Sequence, residues 1–264
     1  MDTRRYAILG ATGNTGSQLL SKLARQEGAE VAAYARSQEK LDKLWPSTPS
    51  ANLRAHVGPL STDIVAECIA DAQVVFLVLS TNRPQPKVTV TTDAATVLIE
   101  ALQRRQAQQG SDLPLTVLLS SASLHSEFSK SSPAPVRWLL WAGIGSVYRD
   151  VEEATRRLRA ASIPLAVVYP GDLVDGAPST GVTLSKTQHS DVISYGDLAM
   201  GLIAAASASR PDRGEQGEQS WGVIAERPPA PWQLWPNAIN LILPGVICTY
   251  MPFLWHIGAR RGWW

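Results

Sequence analysis

The sequence is poor in cysteine: Cys68 and Cys248 are the two in 264 residues, far apart and without a partner at metal-ligand spacing. That excludes a disulfide framework and predicts a reduced, intracellular chain that holds no metal. An excess of either charge is also lacking, since 24 Lys and Arg face 23 Asp and Glu for a net charge of +1. Without a basic field, general nucleic-acid binding is not expected. The opening MDTRRYAILG runs from two arginines into a strand-like stretch and then glycine. It has neither the long apolar region nor the small-residue cleavage site of a secretory leader, so a cytoplasmic location is predicted. No nucleophile elbow, P-loop or internal repeat is found, which leaves hydrolase and kinase chemistry without support. His56, His189 and His256 are dispersed and give no metal spacing.

What the chain does have is 45% hydrophobic and 18% charged residues, enough to bury a full core. Apolar β-branched runs alternate with longer amphipathic stretches, the pattern of parallel strands covered on both faces by helices. Strands are predicted at Tyr6–Leu9, Val31–Ala35, Leu53–Val57, Val74–Leu79, Leu115–Ser120 and Leu165–Tyr169, with helices near 15–27, 37–44, 62–70, 89–108 and 136–161. The expected fold is α/β, a Rossmann-type doubly wound parallel sheet with a small C-terminal substrate-binding region. Its ligand crevice should lie at the carboxyl ends of the strands. Residues 1–175 would form the nucleotide-binding core and 176–264 the C-terminal region, within one compact domain. Beyond Pro170 a Gly/Ser/Thr-rich loop, a helix near Asp197–Ala206 and a strand near Trp221–Ala225 are predicted.

The last stretch differs in composition. Six of the nine tryptophans fall from Trp221 onward, and Ala238–Gly258 carries no Asp, Glu, Lys or Arg. Its length would suffice to cross a bilayer, but Pro244-Gly245 and Pro252 interrupt it and Asn240, Thr249 and His256 punctuate it. The reading is therefore a pocket wall or lid on the core, ahead of membrane-surface contact or an oligomer interface, with the oligomeric state left open.

Gly10-Ala11-Thr12-Gly13-Asn14-Thr15-Gly16 follows the first strand and opens the first helix. Gly10 permits the tight turn, Gly13 admits a pyrophosphate to the backbone, and Gly16 lets helix pack on strand. The N–H groups and positive dipole end of the helix face the phosphates. About 20 residues further on, where a carboxylate would read the ribose of NAD, stand Arg36 and Ser37. A guanidinium forks onto a 2′-phosphate, so NADPH is expected over NADH. Lys40 is as readily a solvated helix residue as a further charge for it. Ser80, Thr81 and Asn82, at the end of the fourth strand, should run past the nicotinamide-side ribose.

With GATGNTG, ARSQEKL, LLSSAS, EEATRRLRAASIPLAVVYPGDL and ISYGDLA, residues 4–205 resemble an atypical short-chain dehydrogenase/reductase of the NmrA-like branch. The size and the Trp-rich tail are similar to the averufin oxidase A family of fungal oxidoreductases, which tailor aromatic polyketides such as anthraquinones and xanthones. The resemblance implies that Gly10, Thr12, Gly13, Asn14, Thr15 and Gly16 hold the pyrophosphate and Arg36 the 2′-phosphate. It implies that Ser80, Thr81 and Asn82 line the cofactor path, that Pro170-Gly171 back the nicotinamide, and that Ser120, Ser121 and Ser123 fall at the catalytic hydroxyl position.

The chain departs from the usual Tyr-x-x-x-Lys pair, because Tyr148 is followed four residues on by Glu152. A lysine ammonium would lower the phenol pKa, whereas an ionised Glu152 would oppose the phenolate. Tyr148 is then a neutral donor, or simply a helix residue packed on the sheet. His125, beside the serine loop, is a candidate acid or base set against a plain loop histidine. Asp150 and Glu153 read as exposed helix charges. The function expected is an NADPH-dependent oxidoreductase of a bulky apolar aromatic substrate stacked by Trp232, Trp235 and Trp255. Two alternatives stay open: a cofactor-independent isomerase, dehydratase or epoxide-opening enzyme, and a non-catalytic NADP-sensing regulator.

Overall fold

The computed structural model describes residues 3–44, 52–81, 85–110, 112–209 and 218–261. Strands β1 (Arg4–Leu9), β2 (Ala29–Ala35), β3 (Leu53–Val57), β4 (Val74–Leu77), β5 (Leu115–Leu119) and β6 (Leu165–Tyr169) alternate with helices α1 (Asn14–Leu23), α2 (Gln38–Leu44), α3 (Thr62–Ile69), α4 (Val90–Gln109) and α5 (Ala134–Ala160). Short strands β7 (Asp172–Val174), β8 (Val182–Ser185) and β9 (Val192–Ser194) follow, then α6 (Tyr195–Ala208), β10 (Gln219–Ala225), α7 (Trp235–Tyr250) and α8 (Pro252–Arg260).

The main sheet has the order β3-β2-β1-β4-β5-β6-β10-β8. All its pairs are parallel except β10 with β8. The chain winds outward from β1 to β3, then crosses over β1 to β4 and continues the other way. The reversal lies between β1 and β4, where Ile8 pairs with Phe76, and the crevice at their carboxyl ends follows from it. Central strands that face helices on both sides need apolar residues at every position, and β6 is buried along its whole length. Two apolar clusters fill the two faces. One, around Ile8, Leu19, Leu20 and Val168, joins α1 and α6 to the sheet. The other, around Leu9, Leu98, Leu102 and Leu158, joins α3, α4 and α5 to it. The part of the chain after residue 175 returns β8 and β10 to the same sheet.

The tail differs from the sequence reading at one point. Pro244-Gly245 does not interrupt the helix: α7 runs through it from Trp235 to Tyr250, and the break comes at Met251 before Pro252. Packing explains this. A Cβ on Gly245 would lie 1.6 Å from the carbonyl oxygen of Gly143 in α5, so only glycine allows the two helices to meet there. That contact, together with a 2.9 Å hydrogen bond from the Thr249 hydroxyl to the Ala142 carbonyl, holds α7 on α5 despite the missing N–H of Pro244. In α5 itself Ile144 leaves helical geometry at φ −126°, ψ 17°, which kinks the helix between its two halves.

Candidate active site

The glycine loop after β1 has the shape that a dinucleotide requires. Gly10 sits at φ +105°, and a Cβ there would lie 2.9 Å from the backbone nitrogen of Leu79 in the neighbouring chain segment. A Cβ on Gly16 would lie 2.0 Å from the Gly10 carbonyl oxygen, so α1 can approach the loop only without one. Gly13 is the N-cap of α1 and offers no side chain to its N–H groups, and the first turn carries no acid. Those donors and the helix dipole are thus left facing the crevice, a cradle that fits a pyrophosphate. Thr12 is half-buried, Asn14 is exposed and Thr15 is buried beneath them.

Arg36 stands exposed immediately after β2, on the same side of the sheet as the loop. The Ser37 hydroxyl accepts the backbone N–H of Lys40 at 3.4 Å, which gives it a capping role at the start of α2. Ser80 is exposed and Thr81 half-buried beyond β4, and Asn82 lies outside the described residues. Pro170 is buried after β6, where its carbonyl accepts the Ala122 N–H at 2.8 Å and ties the ends of β5 and β6 together. Gly171 is packed against the backbone of Ser190 and Asp191, within 2.3 Å of where a Cβ would stand.

Tyr148, Ser121 and Ser123 come together. The phenol projects from α5 onto the turn that follows β5, where the Ser123 and Ser121 hydroxyls hydrogen-bond it, while Trp141 meets the ring edge-on at 5.3 Å. Tyr148 is 5% exposed, and burial pushes its pKa above the ordinary 10.0, the serine hydrogen bonds partly opposing that rise. Ser121 also caps the 3-10 turn Ala122–Leu124 by accepting the Ser123 N–H at 3.4 Å. The negative group that acts on Tyr148 is not Glu152, which is exposed one turn further along the helix, but Asp172 at the start of β7.

Asp172 was not singled out in the sequence because β7 is short and irregular. Its backbone N–H donates to the Asp191 carbonyl at 2.8 Å. Asp172 is exposed as a residue. Desolvation of its carboxyl, with the Asp191 charge nearby, holds its pKa above the usual carboxylate value.

His125 is half-buried, with its ring 4.3 Å from Phe128 and 4.7 Å from Tyr169, and its Nδ1 accepts the Glu127 N–H at 3.3 Å. Burial lowers its pKa, so the imidazole is neutral in this aromatic cluster. Trp232 is exposed in the 3-10 turn Pro231–Leu234, which packs against β7. Trp255 is half-buried on α8 against His256, and the side chain of Trp235 lies outside the described residues.

Asp150 is a correction. It is not an exposed helix charge but is 3% exposed. Its two oxygens accept the backbone N–H groups of Thr91 and Thr92, at 2.8 and 2.9 Å. It thereby caps α4 from α5, two residues from Tyr148. Asp197, in the ISYGDLA segment, is likewise fully buried and accepts from the Ser179 hydroxyl and the Thr180 and Gly181 N–H groups, which fixes the loop between β7 and β8. Among the described residues no group of three or more His, Cys, Asp or Glu could hold a metal ion.

A doubly wound parallel sheet with this glycine loop at the carboxyl ends of its strands defines a Rossmann-type, nucleotide-dependent protein. Residues 10–209 match the family described as NAD(P)H-binding, and the chain belongs to it. Among curated proteins it is 34% identical over 254 residues to Oxidoreductase tpcG of Aspergillus fumigatus, covering 94% of each chain. It is 35% identical over 263 residues to Oxidoreductase stcQ of Emericella nidulans, covering 95% of this chain and 90% of that one. The fold is also that of a short-chain dehydrogenase/reductase from Veillonella parvula solved in complex with NADP. That structure has a TM-score of 0.64 and 15% identity, with 84% of this chain and 95% of the other covered.

Proposed function

We propose that the chain is an NADPH-dependent reductase of a bulky, planar, apolar aromatic substrate, in the class of anthraquinone- or xanthone-type polyketide intermediates. The observation that carries this is the buried Tyr148 phenol, held by Ser121 and Ser123 at the strand ends with no lysine four residues on. A phenol whose pKa is raised stays protonated at neutral pH, so its O–H is available to hydrogen-bond a substrate oxygen and no phenolate is standing ready as a base. It therefore suits delivery of a proton to a substrate oxygen, which is reduction, more than removal of one from an alcohol.

When bound, the reduced nicotinamide supplies a hydride, and the chain's residues do the rest. The loop Gly10–Gly16 and the first turn of α1 would hold the pyrophosphate, Arg36 would pair with the 2′-phosphate, and Ser80 and Thr81 would flank the path toward Pro170-Gly171. Tyr148 and the two serines donate to the substrate oxygen as charge develops on it. The Trp232 turn beside β7 is the side from which an aromatic ring would be covered. The similarity to proteins named as fungal oxidoreductases supports this reading.

A second reading has its own observation. The charge of Asp172, whose own pKa is raised, acts on Tyr148, and an acid–base pair of this kind can isomerise or dehydrate a substrate without net redox change.

Side-by-side titration with NADPH and NADH, followed by tryptophan fluorescence and then by turnover of aromatic ketones and quinones, tests the proposal. NADPH-selective binding with consumption of the cofactor supports it. Product formed with no cofactor present would favour the second reading.

A further inference from the structure

Tyr148 has an aromatic neighbour that the sequence pattern does not single out. Trp141 lies seven residues earlier in α5, and its indole meets the Tyr148 ring edge-on, with centroids 5.3 Å apart and planes at 72°. Seven residues bring a side chain back to nearly the same face of a straight helix, but about 10 Å away along its axis. Two features between the rings close that gap. Ile144 leaves helical geometry at φ −126°, ψ 17°, so the helix bends there. Gly145 carries no side chain: a Cβ there would lie 3.4 Å from Cε3 of Trp141, so the indole rests against bare backbone.

The first half of α5 is held at this angle from its other side. A Cβ on Gly143 would lie 3.1 Å from Cα of Ile242 in α7, and the Thr249 hydroxyl donates to the Ala142 carbonyl at 2.9 Å. Each glycine thus serves its own contact, Gly143 that with α7 and Gly145 that with Trp141. The indole of Trp141 is half-buried, whereas Tyr148 is 5% exposed. Trp141 therefore keeps part of its ring surface open next to a phenol that is almost enclosed. Three other tryptophans have different neighbours: Trp138 stacks on Tyr250, Trp221 donates its indole N–H to the Ser209 hydroxyl at 2.7 Å, and Trp255 meets His256.

We propose that Trp141 is the wall against which the flat ring system of the substrate lies while Tyr148 donates to the substrate oxygen, so that Trp141 selects aromatic over aliphatic carbonyl compounds. This rests on the reading of the site given above, in which the phenol donates to the substrate. A carbonyl oxygen within hydrogen-bond reach of the Tyr148 hydroxyl, about 3 Å, brings the ring that carries it alongside the residue that touches the phenol. An indole offers that ring a large, rigid apolar surface at low cost in side-chain entropy, in offset or edge-on contact. An aliphatic carbonyl compound gains the same hydrogen bonds from Tyr148, Ser121 and Ser123 but little from the indole. Trp141 is thus a specificity-determining residue and takes no part in proton transfer.

The test compares the wild type with Trp141→Leu and Trp141→Phe in two measurements. Equilibrium dialysis with saturating NADP+ measures the binding of 1,8-dihydroxyanthraquinone, and steady-state kinetics with NADPH compares 9,10-phenanthrenequinone with butane-2,3-dione. Trp141→Leu should weaken anthraquinone binding about tenfold and lower the kcat/KM ratio of the aromatic over the aliphatic dicarbonyl by a similar factor, through KM. Trp141→Phe, which keeps an aromatic ring, should stay within about threefold of the wild type in both. An NADP+ affinity equal to that of the wild type shows that each variant is folded. No anthraquinone binding by the wild type, undiminished binding by Trp141→Leu, or a fall in kcat alike for both dicarbonyls would overturn the inference. The last result would make Trp141 a prop for the phenol and nothing more. Anthraquinone binding that depends on Trp141, with turnover of neither dicarbonyl, would support the wall and overturn the reductase reading.

Discussion

The carboxylate of Asp150, in α5, accepts the backbone N–H of Thr91 at 2.8 Å and so caps the neighbouring helix α4 from inside the protein. The Thr92 hydroxyl returns a bond to the Asp150 carbonyl at 3.0 Å. The cap locks together the helix that follows the Ser80–Thr81 segment and the helix that carries Tyr148. Removing it leaves two buried N–H groups without acceptors, so Asp150→Ala should destabilise the fold by about 2–3 kcal/mol. Asp150→Asn, which keeps one acceptor, should cost about half as much. Urea denaturation measures both.

Arg36 carries the cofactor preference in this account. Arg36→Ala should weaken NADPH binding by roughly tenfold or more, about 1.4 kcal/mol, and leave NADH binding unchanged. Equal losses for the two nucleotides would show that the side chain reads something other than the 2′-phosphate.

The contact between Gly143 and Gly245 leaves no room for a methyl group. Gly245→Ala should push α7 away from α5 and cost about 3 kcal/mol if the tail folds cooperatively with the core. Calorimetry and the rate of limited proteolysis within residues 235–250 check this. An unchanged unfolding temperature with faster cleavage would mean that the tail docks separately.

His125 gives a pH dependence with a definite sign. Its folded pKa is held below the ordinary 6.5 by burial. The stability due to the neutral ring is therefore present above 6.5 and is lost as pH falls through the lower folded value. Between about pH 8 and about pH 5 the wild type should lose stability, and His125→Phe, which keeps the aromatic packing, should lose less. His56, whose pKa is also lowered by burial, accounts for part of the slope that remains.

Where the sequence was legible, local pattern and tertiary structure demand the same residues. The six strands β1 to β6 fall where apolar β-branched runs place them, and the glycine loop is recognisable because both its turn and its helix approach forbid a Cβ at fixed spacing. Asp150 was not legible, because a buried carboxylate on a polar helix looks like any surface charge until its partner helix is positioned. Asp172 was missed for a similar reason, since its action on Tyr148 depends on the irregular pairing of β7 with β9. In the tail, Pro244-Gly245 reads locally as a break, and only the approach of Gly143 explains why α7 continues through it.

The central claim rests on Tyr148, and the most direct test is NADPH consumption with a panel of bulky aromatic ketones and quinones, wild type against Tyr148→Phe. The account predicts wild-type turnover of at least one such substrate and a fall in kcat of roughly a hundredfold in the variant, with NADPH affinity unchanged. A variant that turns over as fast as the wild type would contradict the role assigned to the phenol.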